Sequence, residues 1–204
     1  MKLVAACTGA LLALAATLPA QAQVSVFTAT LAGSNEVPAV VSAGAGSATV
    51  TLTLGALPTL RVQADFSDLL GTTTAAHIHC RTPTPNTANA GVATTTPTFL
   101  GFPLGVFAGS FDQTLDLLAA SSYNPAFVTA NGGTVATAFA ALSGGLASGR
   151  TYFNVHTSRF PGGEIRGTLV TAVPEPETYA LFAAGLALLA ATQRRRQSGT
   201  VRPT

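Results

Sequence analysis

The chain has 204 residues, of which 48% are hydrophobic and only 9% are charged. It is therefore long enough for one domain with appendages, and its composition is not that of a disordered protein. Between residues 24 and 172 there are five arginines and six acidic residues. This near-neutral body lacks the basic stripe that a nucleic-acid partner requires, which excludes nucleic acid as a partner. The many small and β-branched residues, with 20 glycines, favour an all-β domain rich in turns.

The first 22 residues have the three parts of a signal peptide. Lys2 is the charged start, residues 11–18 are an apolar run, and Ala20-Gln21-Ala22 is a small-residue cleavage site. We predict export through the Sec machinery and cleavage by signal peptidase after Ala22. The alternative is a first core helix. Cys7 lies inside this leader, so Cys80 is alone in the mature body and an intramolecular disulfide is excluded.

Alternating apolar and polar residues predict four strands in the first part of the body, at residues 24–31, 47–54, 59–66 and 74–79. Turn residues at 55–58 join the second and third strands into a hairpin. The fourth strand carries His77 and His79. Side chains two residues apart in a strand share one face and have Cα atoms about 6.7 Å apart, so both rings can reach one ion while Ile78 faces the core.

The second part of the body begins with a long loop at residues 80–97, rich in Thr, Pro, Asn and Ala, which we interpret as a cover over the histidines. A strand is predicted at 106–115, and short helical segments at 124–130 and 134–143. Seven or eight strands at these spacings favour a β-sandwich of immunoglobulin-like topology with short helical insertions.

Residues 149–169 predict a β-hairpin with its turn at Pro161-Gly162-Gly163. Phe153 and Val155 alternate with polar residues, so one face of the hairpin is apolar and the other is polar. We expect the polar face to point to solvent, with Glu164 and Arg166 as a surface pair or as partners of loop groups. The polar cluster predicted to support the histidines consists of Asn154, Glu164 and Arg166.

The body resembles a CHRD domain, the domain named from the animal protein chordin. The resemblance rests on four ordered motifs: Glu36-Val37-Pro38, residues 76–79, residues 152–157 and residues 162–167. It implies a β-sandwich and an extracytoplasmic setting, and it implies almost nothing about activity. We assign residues 23–172 to this domain.

Residues 173–204 resemble the PEP-CTERM sorting signal of Gram-negative bacteria. They contain Pro174-Glu175-Pro176, a hydrophobic helix predicted at 179–192, and the basic cluster Arg194, Arg195 and Arg196. The resemblance implies processing by an exosortase after transient anchoring in the inner membrane. It also implies transfer to the cell surface or the medium, with exopolysaccharide and biofilm as associations. The alternative is a plain membrane anchor, although the 13-residue apolar run is short of the roughly 20 residues that span a bilayer.

His77, His79 and His156 are all the histidines of the chain. If their strands are neighbours, the three imidazoles converge into a copper or zinc site with an open position. A weaker resemblance to copper/zinc superoxide dismutase around these residues points the same way, but with three histidines the bridging ligand and the zinc set are missing. The alternative is a hydrogen-bonded polar cluster that fixes the long loop. The sequence therefore predicts an exported, non-enzymatic binding or structural module, with a metal-binding, dismutase-like redox protein as the alternative.

Overall fold

A computed structural model describes residues 23–172 and 176–198. In this part of the chain the strands are β1 (Gln23–Ala32), β2 (Ala45–Leu54), β3 (Thr59–Ser67), β4 (Thr73–Cys80), β5 (Gly109–Asp116), β6 (Thr151–Thr157), β7 (Ile165–Thr168) and β8 (Val170–Thr171). The α-helices are α1 (Pro125–Ala130), α2 (Val135–Ala147) and α3 (Pro176–Ser198). The predicted strands are found within a few residues of their predicted bounds.

The strands form one antiparallel sheet in the order β4-β6-β7-β1-β2-β3-β5, with β8 paired to β1. The sheet curls so that its two halves share a core. Phe99 links the halves, because its ring stacks on Phe153 of β6 at 6.1 Å and on Phe111 of β5 at 5.4 Å between ring centroids. The predicted all-β architecture of seven or eight strands with short helical insertions is confirmed.

The two short helices begin at recognisable caps. The Asn124 side chain accepts a hydrogen bond from Ala126 N, and Pro125 occupies the first turn of α1. Thr134 and Thr137 form a reciprocal capping box at the start of α2. Leu142 and Leu146 of α2 are buried in the core, so this helix covers one part of the sheet.

The residues of the described hydrophobic core all fall between positions 27 and 169 of the sequence. On α3, the described hydrophobic side chains are exposed, as Leu181 at 75% shows. Among the described residues, the core therefore lies entirely within residues 23–172.

The predicted C-terminal helix is present as α3 and contains Arg194, Arg195 and Arg196 near its end. Within residues 23–172 and 176–198, no helix has both the length and the apolar character needed to cross a membrane, so the expected transmembrane helix is not found. Pro176 is the first residue of α3. The predicted signal peptide at 1–22, together with Pro174 and Glu175, lies outside the described residues.

Candidate functional site

The three histidines meet on one face of the sheet because β4 and β6 are antiparallel neighbours. His79 lies opposite Tyr152, His77 opposite Asn154, and His156 opposite Ala75. One ring nitrogen from each histidine lies within 4.8 Å of those of the other two. Ile78, Phe153 and Val155, on the opposite parity, are fully buried in the core. The alternation of the two strands thus separates an apolar face from a histidine-bearing face, as predicted.

Each histidine uses one ring nitrogen to hold a loop carbonyl. The distances are 2.6 Å from His77 Nε2 to Pro97 O, 2.8 Å from His79 Nδ1 to Ala90 O, and 2.9 Å from His156 Nδ1 to Pro161 O. A carbonyl only accepts, so each of these nitrogens carries the proton. The tautomer of every ring is therefore set by the backbone.

The second nitrogen of each ring has no hydrogen-bond partner. His77 Nδ1, His79 Nε2 and His156 Nε2 are all buried and unpaired. A buried acceptor without a partner costs about 1–3 kcal/mol, and here three such acceptors belong to one cluster. A purely hydrogen-bonded cluster explains one nitrogen of each ring and leaves the other three atoms without a role.

Burial keeps the imidazoles neutral. It lowers the pKa of His77 and of His79 to about 4, and repulsion from neighbouring histidines adds to the effect. Burial lowers the pKa of His156 as well. A neutral imidazole has a free lone pair, which is the form that binds a metal ion.

Cys80 does not belong to this cluster. Its side chain is buried, and its Sγ lies 3.7 Å from Ala141 O of α2. Burial raises the pKa of the Cys80 thiol to about 11, so the thiol is protonated at neutral pH. Cys80 therefore supplies no thiolate ligand to the histidine cluster.

Two family matches place this geometry in context. The model of the CHRD domain matches residues 27–169. This range contains β1 from Phe27 onward, the strands β2 to β7 and all three histidines. The chain belongs to the CHRD family. The PEP-CTERM protein-sorting motif matches residues 172–196. This motif makes the CHRD protein an exported one that an exosortase processes at the membrane before it reaches the cell surface. Searches of curated proteins and of solved structures each returned no match.

The matches do not extend to the weaker resemblance noted above. The family match is to CHRD and not to copper/zinc superoxide dismutase, so nothing in the comparisons supports that likeness. They also leave the three-histidine cluster without an assigned role. Its function in this CHRD domain has to be argued from the geometry.

The polar face of the CHRD hairpin is not exposed, which corrects the expectation from the sequence. Asn154, Glu164 and Arg166 have exposed fractions of only 2%, 0% and 4%. Part of the long loop that follows β4, the covering loop, lies over this face, because Ala90 O is bonded to the His79 ring and Asn89 Oδ1 to the Arg166 side chain. A hairpin pattern shows which side chains share a face, and a distant loop decides whether that face meets water.

Glu164 and Arg166 are not a pair. Arg166 donates from Nε to Asn35 O at 2.6 Å and from an amino group to Asn89 Oδ1 at 2.8 Å. Its guanidinium carbon lies 4.4 Å from the centre of the Tyr152 ring, and Tyr152 stacks on His79 at 4.7 Å. Arg166 therefore supports the covering loop and, through Tyr152, one of the histidines.

Glu36 is the acidic neighbour of Arg166, and sequence reasoning used it only as part of a family motif. Its Oε2 lies 3.9 Å from Arg166 Nε, its Oε1 is unpaired, and the residue is buried. Burial raises the pKa of Glu36 to about 7, although Arg166 opposes the shift. The Glu-Val-Pro motif drew attention to Glu36 in the sequence. It could not show the interaction with Arg166, which is 130 positions away in the chain.

We expect Glu36→Gln to flatten the pH dependence of stability between about pH 4.5 and pH 7. The pKa of the Glu36 carboxyl is about 4.5 in the unfolded chain and about 7 in the folded domain. The folded state therefore binds more protons than the unfolded chain in this pH window. The contribution of Glu36 is complete below pH 4.5 and is lost as the pH rises to 7. Urea unfolding of both proteins at several pH values measures it, and parallel curves for the two proteins would contradict the expectation.

Proposed function

We propose that the CHRD domain of this exported protein is a non-enzymatic metal-binding module that holds one copper or zinc ion between His77, His79 and His156. The observation that carries the proposal is the close approach of three imidazoles, each of which has one buried nitrogen without a hydrogen-bond partner. His77 contributes Nδ1, and the other two histidines contribute Nε2. Imidazole ligands suit zinc and copper, whereas a site for calcium or magnesium would be built from oxygen atoms.

The surroundings of the rings support this proposal. Histidines that bind metals usually donate the other ring N–H to a carbonyl or carboxylate, which fixes the tautomer and the direction of the lone pair. All three rings have such a carbonyl here, from Pro97, Ala90 and Pro161. Nitrogens that bind one metal ion at about 2.0–2.1 Å lie at most about 4.2 Å apart, so the rings would move closer together than the 4.8 Å limit of the metal-free cluster.

The setting is part of the same proposal. We propose that export and exosortase processing take the domain to the cell surface or the medium of a Gram-negative bacterium, with exopolysaccharide as a partner. The PEP-CTERM motif at residues 172–196 supports this setting. An immunoblot of cell and medium fractions from strains with and without an exosortase tests it, since loss of the enzyme should retain the protein in the membrane fraction.

Metal binding is tested on residues 23–172, which contain the described hydrophobic core and the whole CHRD match. We expect one equivalent of copper(II) or zinc(II) per chain by elemental analysis after dialysis. A free metal concentration of 100 times the dissociation constant should raise the free energy of unfolding by about 2.7 kcal/mol. The chain lacks tryptophan, so copper should quench tyrosine fluorescence from Tyr152, which stacks on His79.

Variants make this test specific. His79→Ala and His156→Ala should each abolish stoichiometric binding and the gain in stability. Tyr123→Phe removes a buried hydroxyl that donates to Leu117 O, and it should bind metal like the wild type. Circular dichroism identifies any variant that fails to fold. A folded wild-type domain that takes up no copper or zinc and gains no stability would overturn the proposal.

A further inference from the structure

We propose that the three-histidine site, once it holds its metal, keeps one coordination position for a small anion. This inference rests on the proposed metal binding and names the class of ligand that the same site would take. Three observations carry it: the number of donors, the charge around them, and the unequal exposure of the three rings.

Among the His, Cys, Asp and Glu side chains that the structure describes, three donors and no more belong to this cluster. The cluster of His, Cys, Asp and Glu side chains with metal-ligand spacing contains only His77, His79 and His156. Cys80 faces α2, and both Glu164 oxygens accept hydrogen bonds from other groups. Sites with three protein ligands leave the fourth position to an external ligand, whereas structural zinc sites fill all four.

The charge of the loaded site is unbalanced. The three ligands are neutral imidazoles, so they do not compensate a divalent ion. Arg166 adds a positive charge near His79, and Glu36 lies beside Arg166 without belonging to the histidine cluster. A buried charge is costly unless an opposite charge accompanies it. An anionic fourth ligand supplies that opposite charge, and a neutral ligand does not.

The open side lies towards His156. His77 and His79 are buried beneath the covering loop, whereas His156 is partly exposed. Pro161, whose carbonyl orients His156, lines a cavity of about 380 Å³ together with Glu36, Asn89 and the exposed Arg159, and none of the three histidines lines it. A positive side chain in a cleft attracts anions to it. We place the open position on this side of the cluster, where Arg159 is the exposed positive side chain next to the turn that orients His156.

Azide titration of the copper(II)-loaded domain tests this inference. We expect a saturable charge-transfer band in the absorption spectrum and a matching change in the electron paramagnetic resonance spectrum. Arg159→Gln should weaken azide binding roughly two- to fivefold, the range expected for one exposed charge. Arg61→Gln is the matched control, because Arg61 is also exposed but pairs with Asp112 on the outer side of β3, and it should leave azide binding unchanged.

The outcomes separate the two proposals. Absence of copper binding would overturn the proposed function and this inference together. Copper binding with no response to azide, over concentrations that shift the spectrum of a copper–imidazole complex in solution, would overturn the anion position and leave the metal site intact. An Arg159→Gln variant that binds azide like the wild type would overturn the placement of the open side at the cavity next to His156.

Discussion

Replacing Glu164 by glutamine is expected to destabilise the CHRD domain by about 3–5 kcal/mol, the largest effect of any single change considered for this protein. The carboxylate is fully buried and accepts hydrogen bonds from Leu70 N, Gly71 N, Ser42 Oγ and Thr157 Oγ1. Bonds to a charged group are each worth about 1.5–3 kcal/mol. A glutamine keeps one acceptor oxygen and turns a donor towards the groups that bonded the other.

The same carboxylate should make the domain acid-sensitive. Burial acts to raise the pKa of Glu164, but the hydrogen bonds from Leu70 N, Ser42, Thr157 and Gly71 N outweigh it and leave the pKa below its ordinary value of 4.5. Between pH 4.5 and the lower pKa of the folded state, the unfolded chain binds more protons. The stabilisation is therefore complete above pH 4.5 and is lost as the pH falls through the folded pKa.

Urea unfolding at neutral and acidic pH measures both effects. Asp112→Asn is the control, since it removes a carboxylate that is exposed and paired with Arg61, and an exposed pair contributes little to stability. A Glu164→Gln variant with the stability of Asp112→Asn would show that the four contacts do not stabilise the fold.

Replacing Gly163 by alanine is the second large effect, with an expected loss of about 3 kcal/mol. Gly163 has a φ of +128°, a region that other residues rarely adopt. A methyl group there would lie 2.5 Å from Asn154 Nδ2 and 2.6 Å from Glu36 Oε1. The variant therefore combines backbone strain with a clash against two buried polar side chains.

Gly162 provides a matched control one position earlier in the same turn. An added Cβ at Gly162 meets no atom within 4 Å, and its backbone does not have a positive φ. We expect Gly162→Ala to retain wild-type stability in thermal and urea unfolding. Equal losses for the two variants would mean that the turn as a whole resists substitution and that the contacts of Gly163 have no special weight.

The Gly163 variant should also affect the proposed metal site. The turn between β6 and β7 carries Pro161, whose carbonyl fixes the tautomer of His156. Movement of that turn would change the direction of the His156 lone pair. Isothermal titration with zinc should therefore show weaker binding for Gly163→Ala than for Gly162→Ala under conditions in which both are folded.

Much of the fold could be predicted because strands leave a local signal. The alternation of Phe153 and Val155 with polar residues, and of Ile78 with His77 and His79, follows from the two-residue period of an extended chain. The same period predicts which side chains share a face. Two His on one strand and one on another were therefore candidates for a common site before any strand pairing was known.

The rest of the site depends on contacts between distant parts of the chain. Arg166 reaches Asn35, 131 positions away, and Asn89, 77 positions away. No local pattern contains such partners, which is why the polar face was predicted to be exposed, and why a surface pair of Glu164 and Arg166 and bonds from them to loop groups stayed open as alternatives. The prediction for the tail is confirmed only in part, because α3 is present and no helix among the described residues is both long and apolar enough to span a membrane.

The sequence by itself determined the strands, the parity of each side chain, the CHRD family and the sorting motif, because these depend on local periodicity and contiguous motifs. The tertiary structure alone decided that β4 and β6 are neighbours, and that the covering loop turns a polar face into a buried one. It also decided which nitrogen of each histidine is bonded and which is free. The physical reason is that these properties depend on distant segments of the chain. The tautomer of each histidine is set by a carbonyl of Ala90, Pro97 or Pro161, and these carbonyls reach the rings only when the chain has folded.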